Sequence, residues 1–193
     1  MDIAFQSTRY LLKRQVFALT GTLRLYNPQE QMVLYCQQKL FKLKEDIRVF
    51  SDETKTRELL SLQARQILDF SAYYDVFDSV YSTKIGGLRR RGFRSMVQDE
   101  WEVFDGQERL LGILMEDSLT QALLRRLLLG ALLPQNYDLN IGTQRVADYK
   151  QRFNPFRYEL DLDFQMDSDN KLDRRLGIAA AILLATIEGR QHK

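Results

Sequence analysis

From Arg14 to Leu114 the chain is built of short runs in which apolar and polar residues alternate, each run broken by turn residues. A period of two is the signature of strands that bury one face. Val16, Ala18, Thr20, Thr22 and Arg24 alternate with Phe17, Leu19, Gly21, Leu23 and Leu25 until Asn27-Pro28 ends the run. A repeat is superimposed on the alternation: Val49-Phe50 returns as Val76-Phe77 and Val103-Phe104 at intervals of 27 residues. Each pair runs into a polar turn (Ser51-Asp52-Glu53, Asp78-Ser79, Asp105-Gly106), and Leu25-Tyr26-Asn27 is a looser copy 24 residues ahead of the first. After the last two turns a glycine-containing stretch follows, Lys84-Ile85-Gly86-Gly87-Leu88 and Leu110-Leu111-Gly112-Ile113-Leu114. Hairpins copied from one template predict an antiparallel meander. Such a sheet closes readily, because closure removes its exposed edges. Glu58 to Ile67 is assigned to a strand, although Leu59, Leu60, Leu62 and Ile67 also suit a helix.

The second half changes period. Ser118 and Gln121 form a capping box, after which Leu119, Ala122, Leu123, Leu127 and Leu132 recur at helical spacing as far as Pro134. Gln121, Arg125 and Arg126 share the opposite side, so an amphipathic helix is predicted near 118–133. A second helix should follow the alternating strand Tyr158 to Met166 and start near Asp169 or Asn170. Its centre, Leu176 to Ile187, has no polar face, and a helix apolar all round must be surrounded on all sides. Gly177, Ala181 and Ala185 thin one side of it for a tight lumen. The expected fold is therefore mainly β (α+β), a closed antiparallel β-barrel of hairpins around a buried hydrophobic C-terminal helix. One domain covers 1–193, with a lead-in over 1–13 and the central helix over 170–190.

This order of hairpins and apolar helix resembles the tubby C-terminal-like superfamily, in particular its phospholipid-scramblase and LURP-one-related branch. The residues that carry the resemblance are Tyr35 to Phe50, Tyr74-Asp75-Val76-Phe77-Asp78, Ile85 to Arg90, Trp101 to Asp105, Leu111-Gly112-Ile113 and Leu176 to Ile187. The resemblance implies a barrel wrapped around its last helix, and phosphoinositide binding is the property known of the tubby branch.

Composition narrows the chemistry. The 193 residues hold 28 Lys and Arg against 26 Asp and Glu, a net charge of +2, so no nucleic-acid partner is expected. The one cysteine, Cys36, excludes an internal disulfide and reads as a small core residue. The one histidine, His192, stands second from the end, where it serves neither a Ser-His triad nor a zinc site. The first ten residues lack the apolar core of a signal peptide, and the apolar run from Leu176 is too short to span a bilayer. A cytoplasmic protein is expected, peripheral at the membrane if its ligand is lipid. Without a histidine base, a redox cysteine pair or a phosphate loop, no enzyme, cofactor or metal site is predicted.

Local charge is more informative. Between Asp78 and Asp99 there is no acid, whereas Lys84, Arg89, Arg90, Arg91 and Arg94 give a local +5. Arginine forks pair with phosphate, and Gly86, Gly87 and Gly92 let backbone approach a head group. These five cations are the candidate anionic ligand site; the alternative is a hairpin whose charges are offset by acids elsewhere in the fold. The string Asp161, Asp163, Asp167, Asp169 and Asp173 invites calcium, but Lys171 and Leu172 stand where an EF-hand needs an oxygen ligand and a glycine. Helix capping and dipole compensation account for these acids better. Phe153-Asn154-Pro155-Phe156 is expected to be a turn between aromatic anchors. Together these observations point to a non-enzymatic binding module for anionic phospholipid or phosphoinositide head groups. The competing possibility is a structural or regulatory module that binds a protein partner or forms a homo-oligomer.

Overall fold

The computed structural model describes residues 1–15, 20–39, 46–68, 71–91, 100–116, 134–154 and 156–187. Twelve strands close into one antiparallel barrel: β1 (Arg9–Gln15), β2 (Thr20–Tyr26), β3 (Met32–Lys39), β4 (Ile47–Phe50), β5 (Glu58–Leu68), β6 (Ser71–Asp78), β7 (Thr83–Arg90), β8 (Glu100–Asp105), β9 (Leu110–Glu116), β10 (Asn136–Ile141), β11 (Gln144–Arg152) and β12 (Arg157–Asp163). Every strand pairs with its neighbours in sequence, and β1 meets β12 with Tyr10 opposite Leu162 and Leu12 opposite Leu160. The barrel thus begins inside the expected lead-in, because Tyr10 and Leu12 are the inward residues that seal β1 against β12. The stretch Glu58 to Ile67 is strand β5.

The repeat has a structural meaning. Pairing register shifts between Leu25 and Tyr26, Val49 and Phe50, Val76 and Phe77, and Val103 and Phe104, so each repeated pair sits on a β-bulge. Beyond the bulge an acid or amide side chain holds the turn. The Oδ1 of Asn27 accepts from the backbone N–H of Gln29 and Gln31, that of Asp52 from Thr54, that of Asp78 from Val80 and Tyr81, and that of Asp105 from Gln107 and Arg109. The turns then place Glu30, Lys55, Ser82 and Glu108 at φ of +59°, +58°, +53° and +63°. A side chain there carries the strain of the left-handed region, about 1 kcal/mol or more. Glu30→Gly is expected to raise Tm by about 2 °C in a melt followed by circular dichroism. Gly142→Ala, at the same φ of +59° with nothing near its Cβ position, is expected to lower it.

Helix α1 (Arg174–Ile187) fills the lumen, with every residue from Leu176 to Thr186 buried. Three sides of the barrel grip it. Leu176 packs on Gly86 of β7, the Tyr149 hydroxyl of β11 donates to the Gly177 carbonyl at 3.1 Å, and Arg14 of β1 donates to the Ala185 carbonyl. The thin side of the helix is real at Gly177, where a Cβ would stand 2.5 Å from the Phe164 ring. Its start is later than the sequence suggested. Asp167 accepts from the N–H of Lys171 and Leu172, and Asn170 takes a φ of +51°, so the chain turns there before Asp173 caps the helix through the N–H of Arg175. The amphipathic helix expected near 118–133 lies outside the described residues, as do Gly92, Arg94 and His192.

Candidate functional site

The cations of β7 alternate across the sheet. Arg89 points outward, whereas Arg90 shares the inward side with Leu88 and lies beside Trp101 in the register with β8. The acid-free interval ends at the neighbouring strand. Arg89 meets Glu102 at 2.6 Å, and Arg91 pairs with Glu100 and stands 3.5 Å from Glu102. Lys84 pairs with Asp75 at 2.7 Å and Glu108 at 2.6 Å, and Arg65 joins both carboxylates. Hydrogen bonds from Arg65 and then Lys84 hold the Glu108 carboxyl down at about 2. A depressed carboxylate stabilises the fold fully above its unfolded value and loses that contribution as pH falls through its folded one, so the part Glu108 plays fades between about 4.5 and about 2. The structure therefore brings Lys84, Arg89 and Arg91 onto one outer face together with their counter-charges; Arg94 lies outside the described residues.

The glycines of this segment serve packing. Gly86 faces the lumen under Leu176, and Gly87 faces outward beneath the Tyr73 ring, so neither leaves bare backbone for a head group. The five aspartates of the acidic string are engaged separately. Asp161 pairs with Arg152, Asp163 with Arg9, Asp169 with Lys171 and Asp173 with Arg175, while Asp167 caps a turn. Among the described residues no three His, Cys, Asp or Glu side chains are placed to hold a metal. Cys36 is buried, and burial pushes its thiol up to about 12, out of the reactive range.

Strand register assembles a second cationic feature that no local stretch of sequence announced. Lys13, Arg14, Arg24, Tyr26 and Arg157, from β1, β2 and β12, line a shallow groove of about 190 Å³ with no carboxylate in its wall. Arg24 is bound to Glu53, and Arg14 reaches the helix carbonyl already described. Lys13 stacks over the Tyr26 ring at 5.0 Å and faces Glu159 across the strand pair, and Arg157 is exposed. Beside Arg157, the expected aromatic anchors are not anchors at all. Phe153 and Phe156 are 65% and 71% exposed, and the Asn154 side chain holds their turn by accepting from the N–H of Phe156 and Arg157. The two other described grooves contain acids: Asp148, Asp161 and Asp163 in one, Asp2 and Asp78 in the other.

The family model that describes LURP-one-related proteins matches residues 32–185, well over half of the chain. No curated protein and no solved structure matches it.

Proposed function

Because the chain belongs to the LURP-one-related family, within the tubby-like C-terminal superfamily, we propose that it is a non-enzymatic module that binds anionic phospholipid head groups, phosphoinositides included, at a membrane surface. The observation that carries the reading is the filled lumen: α1 occupies the inside of the barrel, so a ligand meets the outer wall or the rim. Of the five expected cations, Lys84, Arg89 and Arg91 stand on that wall and are the first candidate contacts, while Arg90 turns inward and Arg94 lies outside the described residues. Arg89 uses Nε and Nη2 on Glu102, and a guanidinium carries five donors, so a phosphate can join the pair without displacing it. Its working place is then the cytoplasmic face of a membrane, held peripherally; among the described residues no helix is long and apolar enough to cross one.

A second reading, a module that docks on a protein partner or on a second copy of itself, is favoured by the ion pairs that already offset the β7 cations. Co-sedimentation with phosphoinositide-containing vesicles at low and physiological salt separates the two. Removing Arg89 and Arg91 alone would take an arginine away from each of Glu100 and Glu102, both about nine-tenths buried, and so destabilise the barrel. The informative variant is Arg89→Ser/Arg91→Ser/Glu100→Gln/Glu102→Gln, expected to melt close to wild type and to lose most vesicle binding. Wild-type protein that ignores every anionic vesicle at low salt would transfer the assignment to the protein-partner reading.

A further inference from the structure

We infer that the Phe153–Phe156 turn and the adjoining cationic groove form a membrane-docking tip, in which the two phenylalanines enter the interface of an anionic bilayer while Lys13 and Arg157 meet its phosphates. The inference rests on the lipid reading above, but it locates the contact elsewhere, at the end of the barrel where β11 runs into β12.

Two large aromatic side chains within four residues, both mostly in water, are unusual on a barrel whose other phenylalanines at inward positions, such as Phe5 and Phe164, are buried. They are not there by slack. The side-chain Oδ1 of Asn154 accepts from the backbone N–H groups of Phe156 and Arg157 at 3.0 and 3.1 Å, which ties the two exposed rings to one anchored stretch of backbone. The strand that leaves this turn starts with Arg157, which lines the groove together with Lys13, Arg14 and Arg24. At about 190 Å³ that groove is below the size of a pocket for an enclosed small molecule, yet roomy enough for a phosphate at its mouth. Arg24 is committed to Glu53, and Glu159 lies across from Lys13, so the cations that remain for a surface are Lys13 and Arg157.

Charge decides between the two ends of the barrel. The far end also exposes apolar side chains, Met1, Ile3, Val80 and Tyr81, but Asp2 and Asp78 in the groove beside them are already paired, with Arg57 and Arg175. An anionic bilayer finds no uncommitted lysine or arginine in that groove, whereas Lys13 and Arg157 line the groove at the Phe153–Phe156 end. The pairing of exposed aromatics with adjacent cations is the chemistry by which proteins lie on such a surface.

The test uses the full chain and vesicles of phosphatidylcholine with and without phosphatidylserine. Phe153→Ser/Phe156→Ser removes only exposed side chains, so Tm is expected to hold while vesicle affinity falls about tenfold or more, the loss expected from failing to bury one or two aromatic rings. The loss should persist at physiological salt, because it is not electrostatic. Lys13→Gln/Arg157→Gln should lower affinity chiefly at low salt and flatten the salt dependence, since exposed charges are screened over about 8 Å at 0.15 M. Sedimentation of the phenylalanine variant equal to wild type would overturn the inference. If the β7 quadruple variant alone loses binding, the docking tip fails and the head-group site stands. If the tip and groove variants lose binding and the quadruple variant keeps it, the tip stands and the β7 assignment fails. If wild type binds no anionic vesicle, both fall.

Discussion

Ala181→Arg is expected to leave no soluble, cooperatively folding protein. Ala181 lies halfway along α1 with no exposed surface, and the helix residues on either side of it, from Ile178 to Leu184, are equally enclosed. A guanidinium placed there is shut away from water among apolar helix neighbours, and an unpaired buried charge costs at least several kcal/mol even after relaxation. Domains of this kind are stable by only about 5–15 kcal/mol, so the charge alone consumes much or all of that margin. Size adds a second penalty, because a closed barrel of twelve strands cannot widen locally without breaking a ladder of hydrogen bonds. Ala181→Leu isolates the size effect and should still fold, with a loss of about 1–3 kcal/mol. Soluble fraction after expression and a melt by circular dichroism read both variants. A soluble Ala181→Arg protein with a sharp, near-wild-type transition would mean that the helix does not lie inside the barrel.

How much of this was legible depends on whether the signal was local. The strands of the first half were, because a half-buried strand writes its face into every second residue. The 27-residue spacing was legible too, although not its cause: Val49-Phe50, Val76-Phe77 and Val103-Phe104 recur because each hairpin needs a bulge before an acid-held turn. The central helix was visible in its unbroken apolar circumference. Its start was not, since Asp167 and Asp173 are equally good caps by type, and only the positive φ at Asn170 shows that the first closes a turn. The β7 cations show the limit most clearly. Their interval holds no acid in sequence, yet Glu100 and Glu102 come from the next strand and Asp75 from the previous one, so the local +5 is mostly cancelled in space. The groove of Lys13, Arg24 and Arg157 was invisible for the converse reason. Lys13 and Arg24 face each other across the β1–β2 hairpin, and Arg157, far along the chain, joins them only when β1 closes the barrel against β12.

The same contrast between sequence and space predicts that two adjacent glycines will behave differently. Gly86→Ala is expected to lower Tm by about 10 °C, on a loss of about 3 kcal/mol at 2–4 °C per kcal/mol, and Gly87→Ala by much less. A Cβ on Gly86 would stand 2.3 Å from the Phe104 carbonyl oxygen and 2.9 Å from the Leu176 side chain. The first obstacle is backbone of the neighbouring strand and the second belongs to the helix inside the barrel, so relief requires β7 and β8 to part or α1 to move. A Cβ on Gly87 would meet the Tyr73 hydroxyl at 2.3 Å, the far end of a side chain whose oxygen has no hydrogen-bond partner to give up. That ring can swing, at the loss of its contacts with Phe104 and Arg65. Replacing a strand glycine by alanine also recovers about 0.5–1 kcal/mol of chain entropy, which offsets the smaller penalty but not the larger. Were these glycines kept bare for a head group, both alanine variants would instead hold their melting temperatures and lose vesicle binding together. Equal Tm for Gly86→Ala and wild type would refute the packing role, and with it the contact between β7 and the helix that fills the barrel.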